Sequence, residues 1–424
     1  MDRLRRILIA AIVFSLLAVF SAAAEIAQPS PAQQRARWRP GPIKIAISQS
    51  LLQPEPNIKW NSDVRAAIER AIDAWRNVAD VEFVQVVSDK LSVSPVGTSG
   101  DGVSLITIAP TAENVLIFKN DPESAAKTRV FVNRRGFISE ADIILSPFQQ
   151  FSTDGSYGSF DLETTIKHEI GHLLGLQHSS VVGSVMYEVT SKNGVFGETN
   201  GRAGKLTADD LSAIRDLYDD GVYTGCCGVL SGRLTGFNKN TRSVELWLQE
   251  ASTGRIVAHA AASDEGEFRF GGIGAGDYDV IAREVGKAGT MSTTSLGEAT
   301  VKNAETTSFD RTIAHRTLDF STELLGKNGI LSDSPLKLSR GTSYGLYIGG
   351  RQLGSGHIKL DINSPHLTID GDSLIDMDYD EGISGLKFSL KIDAETPPGN
   401  YSICAISPSG ARDCIAGGIV VLSE

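Results

Sequence analysis

The stretch HEIGHLLGLQH, residues 168–178, places three histidines and one glutamate around a glycine. On a helix, residues four apart share a face, so His168 and His172 point the same way and can hold one metal ion. Glu169 neighbours His168 and can hold a water on the ion's open side. Gly175 ends the helix where the chain must turn sharply, a place that favours positive φ. The turn brings His178 back as a third ligand. Three neutral imidazoles leave one position of a tetrahedral zinc for water, the arrangement of a catalytic rather than a structural site. A lone helical histidine is usually a core or surface residue. Here these three are the only histidines between residues 25 and 225. Chance would bring all five motif residues together in roughly one such chain in 10⁵, so the metal reading prevails.

Several elements must position this site. NSDVRAAIERAIDAWRNVADVEF reads as a helix with one buried face: Val64, Ile68, Ala71, Ile72, Trp75 and Val78. Asn61 or Ser62 is its expected cap. WRPGPIKIAIS, VEFVQVV, VSLITIAP, RVFVN and GFISEADIILSP read as strands. DLETTIKHEIGHLLG is a second helix, capped by Asp161 and stopped by Gly175; KLTADDLSAIRDLYDDG is a third, opened by Thr207 and closed near Gly221. From about residue 229 the helical period disappears. Short alternating strands such as VELWLQEA, GEFRFGG, GDYDVIARE, YGLYIGG, LKFSLKI and NYSICAIS recur between turns, as in all-β sandwiches. The expected fold is therefore an α+β domain, a twisted mixed sheet with three helices, followed by two all-β sandwich domains. The domain limits are 38–222, 229–315 and 317–424.

The chain has 424 residues, which favours two or three domains. MDRLRR, then an apolar run, then SAAA read as a signal peptide, residues 1–24, cleaved after Ala24. A Pro- and Gln-rich arm, residues 25–37, follows. No later stretch approaches a membrane span. The expected location is secreted or periplasmic. The formal charge is −11; removing Asp2, Arg3, Arg5 and Arg6 with the signal leaves −13. An acidic exported chain without a Lys/Arg block is a poor partner for nucleic acid. Of four cysteines, Cys404 and Cys414 flank a turn on adjacent strands and are expected to bridge. Cys226 and Cys227 can pair together, pair with another chain or stay free.

HEIGHLLGLQH resembles the long zinc motif of the metzincin metallopeptidases. Ser179 directly after the third histidine, and Met186 eight residues past it, are similar to the matrixin branch, which includes the matrix metalloproteinases. The elements quoted above follow that family's order over roughly residues 38–220. The resemblance implies a protease acting on protein or peptide substrates. His168, His172 and His178 would bind one zinc. Glu169 would be the general base, taking a proton from water and returning it to the leaving amine. Zinc would acidify that water and stabilise the oxyanion. Met186 would form the Met-turn beneath the metal. Glu188 and Val189 depart from the family's specificity-pocket wall, so substrate preference does not carry over. Tyr187 is adjacent to the methionine and does not match the fifth-ligand tyrosine of astacins and serralysins. No cysteine precedes residue 226 and the arm has 13 residues, so latency by a cysteine switch is not expected.

Other signals are weaker. GGIGAGD (271–277) reads as a strand-connecting turn. IDMDYDEG (375–382) resembles an EF-hand start, but Gly382 is one position late and Lys387 stands where a glutamate should close the loop. It reads as an acidic hairpin, with Ca2+ as the alternative. Residues 229–315 resemble transthyretin-like, carboxypeptidase-regulatory-like modules, and 317–424 an immunoglobulin-like sandwich. Their ligand, whether surface, glycan or protein, is open. The competing function is an adhesin or matrix-binding protein with a vestigial peptidase domain. Glu169 and the three ligands discriminate, and all four are present. A purely structural zinc site is disfavoured for want of a fourth protein ligand.

Overall fold

The computed structural model describes residues 36–53, 55–78, 81–189, 191–197, 204–218, 226–237, 241–286, 291–314, 318–379 and 382–423. The signal segment, most of the arm and the end of the third helix lie outside the described residues.

The first domain is built on β1 (Ile43–Ser48), β2 (Phe83–Ser88), β3 (Ser104–Thr107), β4 (Ala126–Val132) and β5 (Ile138–Leu145). Their order is β2-β1-β3-β5-β4. The first four run parallel, and β4 is antiparallel to β5 at the edge. Short β6 (Phe151–Ser152) and β7 (Phe160–Asp161) pair with each other. Helices α1 (Val64–Arg76), α2 (Ala112–Ile117), α3 (Leu162–Leu173) and α4 (Ala208–Tyr218) complete the domain. Ala67, Ile68, Ala71, Ile72 and Trp75 form the buried face of α1, the i, i+4 stripe a sheet-packed helix needs. The stripe packs with Ile166 and Ile170 of α3 and Ile43 and Ile45 of β1 in one core. The indole Nε1 of Trp75 donates to Lys167 O at 2.8 Å, pinning α1 to α3.

Two expectations need correction. Asp63, not Asn61 or Ser62, caps α1, accepting from Ala66 N at 3.1 Å. Its carboxylate sits three residues before that free amide, the distance a cap must span. Helix α2 was not anticipated, because six residues are too few to show a helical period. It is capped by Thr111 and anchored by buried Asn114, whose amide donates to Leu91 O and Ala109 O.

Two antiparallel sandwich-like units follow. The first contains β8 (Cys227–Thr235), β9 (Thr241–Glu250), β10 (Ile256–Ala261), β11 (Glu267–Gly274), β12 (Gly276–Gly286), β13 (Met291–Val301), β14 (Thr306–Ser308) and β15 (Arg311–Thr312). Sheet β10-β9-β12-β13 faces β11-β8-β14 across a core that includes Leu230, Leu248, Phe270 and Val280. The GGIGAGD stretch joins β11 to β12. The second unit contains β16 (Leu324–Lys327), β17 (Ile330–Ser332), β18 (Leu336–Leu338), β19 (Ser343–Gly350), β20 (Lys359–Asp361), β21 (Leu367–Asp378), β22 (Ser384–Ile392), β23 (Gly399–Ile406) and β24 (Arg412–Val421). Ile375–Asp378 of the IDMDYDEG stretch end β21 and pair with β22, while residues 380–381 lie outside the described residues. The inner sheets of the two units join edge to edge where Thr293 meets Arg412.

Cys404 and Cys414 sit opposite each other on β23 and β24 and are bridged. Cys226 and Cys227 are bridged to each other. Among the described residues, no helix is long and apolar enough to cross a membrane.

Candidate functional site

Helix α3 runs through the core, so most of its residues are buried. Asp161 caps it, accepting from Thr164 N at 2.8 Å and from the Thr164 hydroxyl at 2.7 Å. The helix ends in a Schellman turn. Gly175 N donates to His172 O at 2.9 Å, and Leu176 N donates to Gly171 O at 3.0 Å. Gly175 has φ +102°, and a Cβ there would lie 2.0 Å from Ala36 O. The reversal swings His178 back over the helix.

The three imidazoles converge. His172 Nε2 lies 3.1 Å from both His168 Nε2 and His178 Nε2. Zinc bonds of about 2.0–2.1 Å would hold tetrahedral ligand atoms about 3.3 Å apart. The outer nitrogens fix the tautomers: His168 Nδ1 lies 2.7 Å from Val185 O, and His172 Nδ1 lies 2.9 Å from Leu176 O. A carbonyl only accepts, so Nδ1 carries the proton and Nε2 presents a bare lone pair. Burial lowers the pKa of all three rings, that of His172 furthest, and the neighbouring rings push His172 down again. Facing lone pairs repel unless a cation lies between them, so the donor set fits one zinc ion. Among the described residues, no fourth His, Cys, Asp or Glu joins the three.

Glu169 faces the same space from a buried position. Burial pushes its carboxyl up to about 7, against the opposing hydrogen bond of Thr128 and charge of Lys127. Thr128 Oγ1 is 2.5 Å from Glu169 Oε2 and 3.1 Å from Glu169 O. Thr128 lies on β4, which among the described residues pairs only with β5 and lines the cleft with its outer side. The cleft holds about 890 Å³, with β4 on one wall and Gln177, Glu188 and Val189 among its other lining residues.

Met186 is buried under the helix, and a Cβ on Gly171 would meet its Sδ at 2.2 Å. The glycine of the motif is therefore needed for the methionine to pack there. The segment Ser179–Tyr187 closes on itself through Ser179 N donating to Met186 O at 2.8 Å. Asp210 at the start of α4 accepts from Val185 N and Met186 N, both at 3.1 Å, and from the Ser184 hydroxyl at 2.6 Å. It also accepts from Thr207 N and Thr207 Oγ1, both at 2.8 Å. Asp209 accepts the Ser179 hydroxyl at 2.6 Å.

Sequence reasoning missed Thr128, Asp209, Asp210 and the Val185 carbonyl. A threonine on a strand and acidic residues in a helix's first turn have ordinary local explanations. A backbone carbonyl carries no sequence signal at all.

The Matrixin family model (Peptidase_M10) matches residues 120–219. The first domain is matrixin-like. Metalloendoproteinase 4-MMP of Arabidopsis thaliana is 29% identical over 43% of this chain and 48% of its own length. Metalloendoproteinase 1 of Glycine max is 28% identical over 43% of this chain and 52% of its own. The chain thus spans about half the length of these curated relatives. Among solved structures, the major pilin subunit BcpA of Bacillus cereus matches 46% of this chain and 69% of its own, at 15% identity and a TM-score of 0.18. The C-terminal part consists of additional β-rich domains behind the matrixin-like one.

Proposed function

We propose that the chain is an exported zinc-dependent endopeptidase that hydrolyses peptide bonds of protein substrates. The carrying observation is the convergence of His168, His172 and His178 on one point beside the buried carboxylate of Glu169. Zinc, when bound, supplies Lewis-acid polarisation and makes a water acidic near neutral pH. Glu169 takes a proton from the attacking water and delivers it to the leaving amine. Thr128 holds the carboxylate in place. The free edge of β4 offers backbone donors and acceptors to an extended substrate in the cleft.

The proposed limits are a signal at 1–24, an arm at 25–37, a peptidase domain at 38–222, a transthyretin-like module at 229–315 and an immunoglobulin-like module at 317–424. Secretion or periplasmic residence is supported by the signal-like start and by two disulfides, which persist in oxidising compartments.

The test is cleavage of casein or gelatin by the chain from Glu25, with and without a zinc chelator, beside Glu169→Ala with its metal content measured. The expected result is chelator-sensitive cleavage and about one zinc per chain. The variant should keep its zinc and lose roughly 10²–10⁴-fold in rate. A parent chain that binds no zinc would overturn the reading.

A further inference from the structure

The loop that carries the metal-site floor is gripped from outside by the last strand of the chain. Between His178 and Met186, the backbone of Val181–Gly183 lies against β24. Val182 N donates to Ala416 O at 2.9 Å. Gly417 has φ +69°, and a Cβ there would meet Val181 Cγ1 at 2.5 Å and Val182 N at 3.3 Å. A Cβ on Gly183 would meet Val420 Cγ2 at 2.6 Å and Asn400 Nδ2 at 2.8 Å. Each side thus puts a glycine at the closest approach. Val181 is fully buried among Trp247, Ile281, Cys404, Cys414 and Ala416, a cluster drawn from all three domains. Tyr187 and Val182 pack into the core of the last domain.

The same loop makes the inner contacts of the site. Val185 O, three residues after Val182, fixes the tautomer and orientation of His168. Ser179, three residues before Val182, ties the residue after His178 to Met186 O. Outward contacts at 181–183 are therefore interleaved with inward contacts at 179 and 184–186 on one short stretch of backbone. Through these contacts one loop links β24 to His168 and to the residue after His178. Groups that orient metal ligands tune affinity and geometry even though they never touch the ion.

We infer that β24 of the C-terminal domain is the outer clamp of the zinc site, with Gly183 and Gly417 as positioning residues, so that the last domain is a working part of the metal centre rather than an appended module. This rests on the zinc reading of the site given above.

The experiment uses the full chain from Glu25 and measures zinc affinity by competition with a chromophoric chelator, together with the visible spectrum of the cobalt-substituted protein. Gly183→Ala adds one methyl against Val420. Its zinc affinity should fall about tenfold or more, with a changed cobalt spectrum. Val420→Ala in the same chain removes the opposing methyl and should restore most of both; among the described residues the Asn400 amide nitrogen has no hydrogen-bond partner to hold it in place. A purely structural contact would alter melting without altering the cobalt spectrum. If Gly183→Ala does not fold, the loosening pair Val420→Ala with Asn400→Ala decides, because it adds no atoms. It should weaken zinc in the same direction by a smaller factor. Folded variants with the parent's affinity and spectrum would overturn the clamp. A parent without zinc would instead sink the reading of the site itself.

Discussion

Asp210 offers a sharp test of how the metal-site floor is held. Its buried carboxylate accepts three backbone amides, Val185 N, Met186 N and Thr207 N, and two hydroxyls. Asp210→Asn keeps the shape, but its NH2 end must face donors where the carboxylate had an acceptor. The hydroxyls can rotate away and the amides cannot. The NH2 end takes the Oδ1 side, which faces one backbone amide, Met186 N, because the Oδ2 side faces two, Val185 N and Thr207 N; one buried donor left unpaired costs about 1–3 kcal/mol. A 10–100-fold loss of metal affinity, the usual effect of disturbing an outer-shell partner, corresponds to about 1.4–2.7 kcal/mol. The two ranges match, so the loop must transmit most of the cost to Val185 O and His168 to give that loss. Chelator competition on parent and variant measures the affinity, and amide exchange over residues 179–187 measures the opening. A folded Asp210→Asn chain with parental zinc affinity and parental exchange in that loop would refute the reasoning.

Gly175→Ala should be among the most damaging single-methyl changes, because it combines a positive φ with a Cβ placed 2.0 Å from Ala36 O. We expect His178 to be displaced and zinc to bind through two histidines, read as a large affinity loss and altered cobalt spectrum. The contact between α4 and the first β unit should depend on pH through His259. Burial lowers its pKa, but the hydrogen bond and charge of Glu245, 2.7 Å away, and the charge of Asp209 outweigh this and raise it. A raised folded pKa means that the stabilising contribution is fully present below the unfolded value of about 6.5 and is lost as pH rises through the folded value. Denaturation of parent and His259→Gln across pH 5–9 should show the parent's advantage shrinking with rising pH; a pH-independent difference would contradict it.

Much of the site was written locally. The spacing of His168, His172 and Glu169 needs only a helix, and Gly175 needs only a turn, so the histidine cluster and the carboxylate beside it were legible. The alternating texture after residue 229 gave the β units for the same reason: period two is a local property. Legibility failed where a partner came from far along the chain. Thr128 reaches Glu169 only because β4 is the sheet edge facing α3. Asp210 reaches the Met186 loop only because α4 packs behind it.

The sequence by itself determined the donor set, its helical register, and the succession of an α+β domain and two β units; the place of Met186 came from the family resemblance alone. The first three follow from spacing within a dozen residues, where backbone geometry leaves few choices. Only the tertiary structure decided the 3.1 Å convergence of the rings, the burial that brings Glu169 to about 7, and the contact of Val182 with Ala416, 234 residues further along the chain. Those depend on which surfaces meet once apolar area is buried, and the chain's local periods do not encode that.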